Sequence, residues 1–73
     1  MTTYVVIYEQ ANDGGWGAYS PDLPGVVSAG DTREEVEELM REALLLHLDE
    51  LRRHGQFVPT PRNFAGVISV PAA

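Results

Sequence analysis

Residues 18–35 read AYSPDLPGVVSAGDTREE, and this stretch decides the fold. Leu23-Pro24-Gly25-Val26 predicts a type II turn, because proline presets φ at the first central position and glycine accepts the positive φ required at the second. A short strand, Val26 to Ala29, follows at once, and Gly30-Asp31-Thr32 then closes the strand and opens a helix. With Trp16 to Ser20 before the turn, the stretch predicts two strands and a helix in immediate succession.

The residues before this stretch complete a β-meander. Tyr4 to Glu9, YVVIYE, is rich in β-branched and aromatic residues, as strands are. Asn12-Asp13-Gly14-Gly15 is a hairpin turn signal, because Asn, Asp and Gly tolerate positive φ. A second strand, Trp16 to Ser20, follows this turn. Three strands joined by tight turns form an antiparallel meander.

The residues after the stretch predict one long amphipathic helix that ends at Arg53. Thr32 and Glu35 have the spacing of a capping box, although Asp31 and Glu34 fit the same spacing one residue earlier. Apolar residues at helical spacing form a stripe that we expect to pack on the sheet, namely Val36, Met40, Ala43, His47 and Leu51, flanked by Leu39 and Leu44.

Phe64 to Val70, FAGVISV, is predicted to be a last strand, after a connector that Pro59 and Pro61 keep extended. The predicted fold class is therefore α+β with the order β-β-β-α-β, in which one long helix covers one face of a four-stranded sheet. No repeat or low-complexity segment divides the chain, so we expect residues 1–73 to form a single domain.

Length and composition restrict the class of protein. A small core of this kind contributes only about 3–5 kcal/mol, and a chain without cysteine has no disulfide to add to it. Eleven acidic residues against five basic ones give a net charge of −6, which argues against direct binding to DNA and favours a basic protein partner. No leader-like segment and no apolar run of the roughly 20 residues that span a bilayer is present, so we expect a cytoplasmic protein without a membrane partner.

Self-association is a further expectation, in the form of a homodimer or a higher oligomer. The first strand is apolar on both faces, and the helix segment ALLLHL, residues 43–48, is apolar almost all round. A single helix covers only one face of a sheet, and uncovered apolar surface promotes association. The predicted interface residues are Tyr4, Val6, Tyr8, Leu45 and Leu48.

Motifs for catalysis or cofactor binding are absent from the sequence. There is no cysteine nucleophile, no Gly-x-Ser-x-Gly elbow around a serine, and no Gly-Lys-Ser/Thr ending of a P-loop. Two histidines are too few for a stand-alone zinc site, and the glutamates of residues 34–42 lie where a helix start favours negative charge. We therefore expect no enzyme, no catalytic residue, no metal and no cofactor.

Several segments together resemble the HicB family of antitoxins. They are Tyr4 to Glu9, Gly17-Ala18-Tyr19-Ser20-Pro21-Asp22-Leu23-Pro24-Gly25, Gly30-Asp31-Thr32-Arg33-Glu34-Glu35, Glu42-Ala43-Leu44, Gly55 and the Pro59-x-Pro61 pair. The resemblance implies a partial ribonuclease H-like fold that is not itself a nuclease and that neutralises a small basic messenger-RNA-cleaving toxin, HicA. The resemblance also implies that many members carry a separate DNA-binding domain. This sequence departs from them, since it contains no such segment, and we therefore expect no direct binding to an operator.

The expected function is therefore that of a HicB-like protein-binding module that occludes a basic toxin. An apolar centre made by Trp16, Tyr19, Leu23 and Pro24 is predicted to bind the partner, with acidic residues that orient the encounter. The alternative is a solitary oligomeric protein with a structural or small-ligand-binding role and no toxin partner. A short basic reading frame beside the gene would favour the first hypothesis over the second.

Overall fold

The computed structural model of the chain describes residues 1–72. Three strands, β1 (Ile7–Gln10), β2 (Trp16–Tyr19) and β3 (Val27–Gly30), form an antiparallel sheet in the order β1-β2-β3. One helix, α1 (Arg33–Arg53), follows them. The predicted α+β class, with a meander followed by a single long helix, is confirmed.

Both predicted turns form as their residue types require. In the hairpin between β1 and β2, the Gly14 N–H donates to the Ala11 carbonyl at 3.0 Å, and the Gly15 N–H donates to the Asp13 carboxylate at 2.9 Å. In the second turn, the Val26 N–H donates to the Leu23 carbonyl at 3.2 Å. Gly25 has φ of 90°, a conformation that residues with a Cβ rarely adopt.

Strand register sorts the side chains of the sheet onto two faces. Tyr8 pairs with Ala18, and Ala18 pairs with Ser28. Ala18 belongs to the buried core, so this row faces the helix. The opposite face carries the alternate residues of each strand.

The helix begins and ends with the predicted caps. Thr32 is the N-cap, and its hydroxyl accepts a hydrogen bond of 3.1 Å from the Glu35 N–H. This contact satisfies one of the free N–H groups of the first turn. At the other end, Gly55 has φ of 67°, and its N–H donates to the Arg52 carbonyl at 3.1 Å.

The core lies between the helix and the strands β2 and β3. Its buried apolar residues are Ala18, Leu23, Val26, Val36 and Met40. Burying a Leu, Val or Met side chain contributes about 1.5–3 kcal/mol. Part of the predicted helix stripe is thus confirmed as buried, and three partly buried helix residues pack against the core, namely Ala43, Leu44 and Leu48.

Two serines on the sheet satisfy their hydroxyls inside the chain. Ser20 is buried and donates to the Val5 carbonyl at 2.9 Å, and Ser28 donates to the Val36 carbonyl at 3.3 Å. The first bond connects the end of β2 to the residues before β1, and the second connects β3 to the helix. Both side chains therefore have structural roles.

The strand boundaries differ from the predicted ones by a few residues. The first strand was predicted from Tyr4 and begins at Ile7. The third begins at Val27 because Val26 closes the preceding turn, where its side chain enters the core. The second ends at Tyr19, one residue early.

The predicted fourth strand, Phe64 to Val70, does not join the sheet, which has three strands within the described part of the chain. All seven of these residues are exposed. The physical reason lies just before them, where hydrogen bonds hold Arg62 and Asn63 at the turn between β2 and β3. The segment leaves the body from that point and does not run along a strand of its own chain.

None of the helical residues described forms a segment long and apolar enough to cross a membrane.

Candidate protein-binding face

The sheet face turned away from the helix is open to solvent in residues 1–72. Ile7, Tyr19 and Val27 lie side by side on it, because Tyr19 is the register partner of both other residues. Tyr19 is 42% exposed and Val27 is 64% exposed, whereas Ile7 is half-buried. This cross-strand row is an apolar ridge, and we call the whole surface the open face.

A second cross-strand row on the open face consists of Glu9, Gly17 and Ala29. Gly17 and Ala29 have little or no side chain, so the row is the floor of a shallow depression beside the ridge. Asp13 and Asp31 also line this depression. An apolar ridge, a small-residue floor and carboxylates at the margin suit a protein partner with an apolar contact residue and basic neighbours.

The four residues predicted to bind a partner lie in different surroundings. Tyr19 is on the open face, and Pro24 is exposed in the turn between β2 and β3. Trp16 is half-buried and packs against the core, since it is on the helix-facing side of β2. Leu23 is 0% exposed and is a core residue, because the turn that follows β2 directs its side chain inward.

Of the five residues predicted to form an oligomer interface, three belong to the first-strand region and two belong to the helix. Tyr4, Val6 and Tyr8 are half-buried and pack against the core. Leu48 is half-buried, and Leu45 is 64% exposed. Val6 and Tyr8 line the strip where β1 and the helix face each other, and Leu45 lies on the exposed surface of the helix.

Asp22 has a structural role that the sequence did not indicate. Its carboxylate accepts hydrogen bonds from the backbone N–H groups of Arg62 at 3.1 Å and Asn63 at 3.3 Å, and from the Asn63 side-chain amide at 2.7 Å. Nearby, the Tyr4 hydroxyl donates to the Pro59 carbonyl at 2.6 Å. These contacts attach the chain after the helix to the end of the sheet.

The charge of Asp22 is stabilised by the same contacts. Desolvation is the largest single effect and raises its pKa, but the hydrogen bonds from Asn63 and Arg62, together with the Arg62 charge, lower the pKa below the ordinary value of 3.8. The ionised carboxylate is therefore the form that holds the connector.

Histidine and carboxylate side chains are the possible metal ligands in a chain without cysteine. No group of three or more His, Cys, Asp or Glu residues in residues 1–72 is arranged to hold a metal ion. His54 Nε2 lies 3.2 Å from Glu50 Oε2 at the exposed end of the helix. The acidic residues at the helix start serve the helix dipole.

Val27 and Ala29 are residues of the open face that sequence reasoning missed. The sequence pattern does indicate that they share a face, because Val27 and Ala29 alternate with Ser28 along β3. Their pairing with Tyr19 and Gly17 depended on the register between β2 and β3, which the sequence alone did not specify.

Comparison with known proteins identifies the family. The profile of the family described as "HicB_like antitoxin of bacterial toxin-antitoxin system" matches residues 4–72. This match extends over all three strands, the helix and the segment after it. The resemblance inferred from the sequence motifs is confirmed.

Individual relatives agree with the family match. The chain is 41% identical over 56 residues to "UPF0150 protein ssr1765" of Synechocystis sp., which covers 77% of this chain and 71% of that protein. It is 32% identical over 69 residues to "UPF0150 protein Ta0767" of Thermoplasma acidophilum, covering 94% of this chain and 97% of that protein. It is 32% identical over 71 residues to "Antitoxin HicB 2" of Photorhabdus laumondii, covering 96% of this chain but only 50% of that protein. The chain therefore belongs to the HicB-like antitoxin family of bacterial toxin–antitoxin systems.

Proposed function

We propose that this chain is the antitoxin of a toxin–antitoxin pair, and that it neutralises a small basic toxin of the HicA type by binding and occluding it. Membership of the family supports an antitoxin role. The role is one of protein binding in the cytoplasm, without a catalytic step of its own. Direct binding to DNA is no part of the proposal, because a net charge of −6 opposes contact with a phosphate backbone.

The open face is the proposed toxin-binding surface. The observation that carries this assignment is the apolar ridge of Ile7, Tyr19 and Val27, in which Tyr19 and Val27 are exposed within residues 1–72. Apolar and aromatic residues at the centre of an interface supply most of its affinity. Tyr19 is the proposed central contact, with Pro24 at the margin.

Charge supports a basic partner on this surface. Glu9, Asp13 and Asp31 line the depression next to the ridge, and the chain has six more acidic than basic residues. Opposite charges at the rim of an interface accelerate and orient encounter more than they add affinity. The apolar ridge would hold the toxin, and the carboxylates would guide it there.

Self-association is the second part of the proposal. The residues involved are Tyr4, Val6, Tyr8, Leu45 and Leu48, of which Val6 and Tyr8 line the strip between β1 and the helix. We propose that the four-stranded, partial ribonuclease H-like sheet forms in the oligomer, where a second copy can supply the fourth strand. This strip and the open face lie on opposite sides of the sheet, so both surfaces can be occupied together.

Two matched variants test the toxin-binding surface. Val27→Arg puts a positive charge on the ridge, and Leu46→Arg makes the same chemical change at an equally exposed helix position, since both residues are 64% exposed. Binding of the toxin encoded beside the gene would be measured by calorimetry, and growth rescue by co-expression. We expect Val27→Arg to lose binding and rescue, and Leu46→Arg to retain both.

The contrary outcomes are clear. Equal behaviour of the two variants would remove the open face from the proposal. Failure of the unmodified protein to bind any small basic protein encoded nearby would remove the antitoxin role and favour the solitary oligomeric protein.

A further inference from the structure

The segment Phe64–Val70 is an apolar strand sequence without a strand partner. Phe64, Val67 and Ile68 are 84%, 95% and 88% exposed, and the segment pairs with none of the strands described in residues 1–72. β-branched and aromatic residues at this density are typical of strands. An extended apolar segment with unpaired backbone groups is a template for pairing with another sheet.

The outer edge of β1 is the matching unpaired surface. β1 is an edge strand, because the sheet order is β1-β2-β3. Charged residues and proline are the features by which edge strands resist further pairing. Residues 4–8, YVVIY, which lead into β1 and include its first two residues, contain neither, and Glu9 is the one charged residue of β1. Apolar residues on both faces are typical of a strand with neighbours on both sides.

A groove beside this edge is shaped for the side chains of an added strand. The helix packs mainly over β2 and β3, and at β1 the Arg33 guanidinium lies over the Tyr8 ring, 4.8 Å from its centre. The space left under the helix is lined on the strand side by Val6 and Tyr8, and on the helix side by Glu37, Met40, Arg41 and Leu44. A strand placed next to β1 would direct every second side chain into this groove.

The large apolar residues of the segment have the required spacing. Phe64, Ile68 and Val70 fall on one face of an extended chain, and Ala65, Val67 and Ser69 fall on the other. The side chains of Phe64, Ile68 and Val70 are large enough to fill a groove between a strand and a helix. The second set would then lie on the same side as Ile7, at the border of the open face.

The segment is directed away from its own β1. The Tyr4 hydroxyl holds Pro59 near the start of β1, but three residues later Asp22 holds Arg62 and Asn63 at the turn between β2 and β3. The chain thus crosses the end of the sheet before Phe64 begins. The protein measures 50 Å along its longest axis, whereas its 21-residue helix accounts for about 31 Å.

We propose that residues 64–70 of one copy pair with the outer edge of β1 in a second copy, with Phe64, Ile68 and Val70 in the groove beneath the helix. In a two-fold symmetric dimer the exchange is reciprocal, so each sheet gains a fourth strand from its partner. The inference rests on the proposed self-association and identifies the segment that produces it. It needs no toxin, and it leaves Tyr19 and Val27 accessible.

A matched pair of adjacent substitutions tests the groove. Ile68→Glu places a charge on the face of the segment that enters the groove, and Ser69→Glu places the same charge on the opposite face. Both positions are exposed in the single chain, so neither substitution disturbs the monomer core. By sedimentation at micromolar concentration we expect dimers for the unmodified protein and for Ser69→Glu, and monomers for Ile68→Glu. A dimer that survives Ile68→Glu would overturn the proposal, and so would a monomeric unmodified protein.

Cross-linking identifies the edge that receives the segment. The chain has no native cysteine, so single cysteines are unique labels. Val67→Cys would be mixed with Ile7→Cys or with Ala29→Cys and treated with a short bis-maleimide. We expect a cross-linked heterodimer with Ile7→Cys only. A product with Ala29→Cys would assign the segment to β3, and an intrachain product in a monomeric double variant would assign it to its own chain. Either result would overturn the exchange while leaving the toxin-binding proposal intact.

Discussion

The carboxylate of Asp22 accepts a hydrogen bond of 2.7 Å from the side-chain amide of Asn63, 41 residues further along the chain. Asp22 lies in a turn, and it also attaches the chain after the helix to the end of the sheet. Phe64–Val70 begins immediately after this contact and pairs with none of the three strands. The predicted four-stranded sheet and the observed three-stranded sheet therefore differ in the segment that follows this contact.

Replacing Asp22 with Ala should release the connector without unfolding the core. The amides of Arg62 and Asn63 lose their acceptor, so we expect their hydrogen-exchange protection to fall to that of unstructured amides. Self-association should weaken, because a freely moving segment has more conformational entropy to lose on pairing. Asp49→Ala is the control, since Asp49 pairs with Arg53 on the exposed surface of the helix, at 3.7 Å. Unchanged protection at Asn63 in the Asp22 variant would contradict the prediction.

The attachment of the connector should also depend on pH. The pKa of Asp22 in the folded protein lies below 3.8, so the stabilisation is fully present above pH 3.8 and is lost as the pH falls through the lower folded value. The backbone amide shift of Asn63, followed by NMR, should report a midpoint below pH 3.8. Asp22→Asn should abolish this transition. A midpoint above the ordinary aspartate value would show that the contact disfavours the charged form.

The local structure was predictable because it depends on residues that lie close together. Thr32 and Glu35 form the cap from three residues apart, and the Pro24-Gly25 pair forms its turn within four residues. The spacing of Val36 and Met40 likewise placed them on the buried side of the helix. The turn and the cap each need particular residue types within a few positions, so those residues predict the local backbone structure.

The parts that were not predictable depend on long-range packing. Leu23 and Tyr19 are both apolar residues near a turn, but one is in the core and the other is on the open face. Which side chain turns inward depends on the strand register and on the position of the helix above the sheet. The Asp22–Asn63 contact could not be predicted from the neighbouring residues. Aspartate is common in turns because of its local hydrogen bonds, so its presence at position 22 does not indicate a distant partner.

Replacing Leu23 with Ala should unfold the isolated chain. The side chain is fully buried, and a Leu→Ala change in a core costs about 2–5 kcal/mol. A small core of this kind contributes only about 3–5 kcal/mol, so the loss approaches the total. Leu46→Ala is the matched control, because that side chain is 64% exposed and its removal should change stability by less than about 0.5 kcal/mol. Circular dichroism during urea titration would compare the two, and a stably folded Leu23 variant would refute the assignment of Leu23 to the core.

Replacing Thr32 with Ala should destabilise the helix start by about 1 kcal/mol. The Glu35 N–H loses its side-chain acceptor, which now lies at 3.1 Å, and gains only water in exchange. Thr32→Ser keeps a hydroxyl at the same place and should restore most of the stability. The free energy of unfolding from urea titration would measure both variants. Equal stability of the Ala and Ser variants would mean that the hydroxyl contact contributes nothing.

Binding of the toxin should be fastest at low salt. Electrostatic steering raises association rates by about 10–10³-fold and falls steeply with ionic strength, and the Debye length shortens to about 8 Å at physiological salt. If Glu9 at the margin of the open face guides a basic toxin, Glu9→Gln should lower the association rate and flatten its dependence on salt, with little change in the dissociation rate. Glu42→Gln removes the same charge from the exposed surface of the helix and should have a smaller effect. Stopped-flow measurements over a range of salt concentrations would separate the two variants. Identical salt slopes would mean that the acidic margin of the open face does not direct the encounter, and that only the overall charge of −6 attracts the toxin.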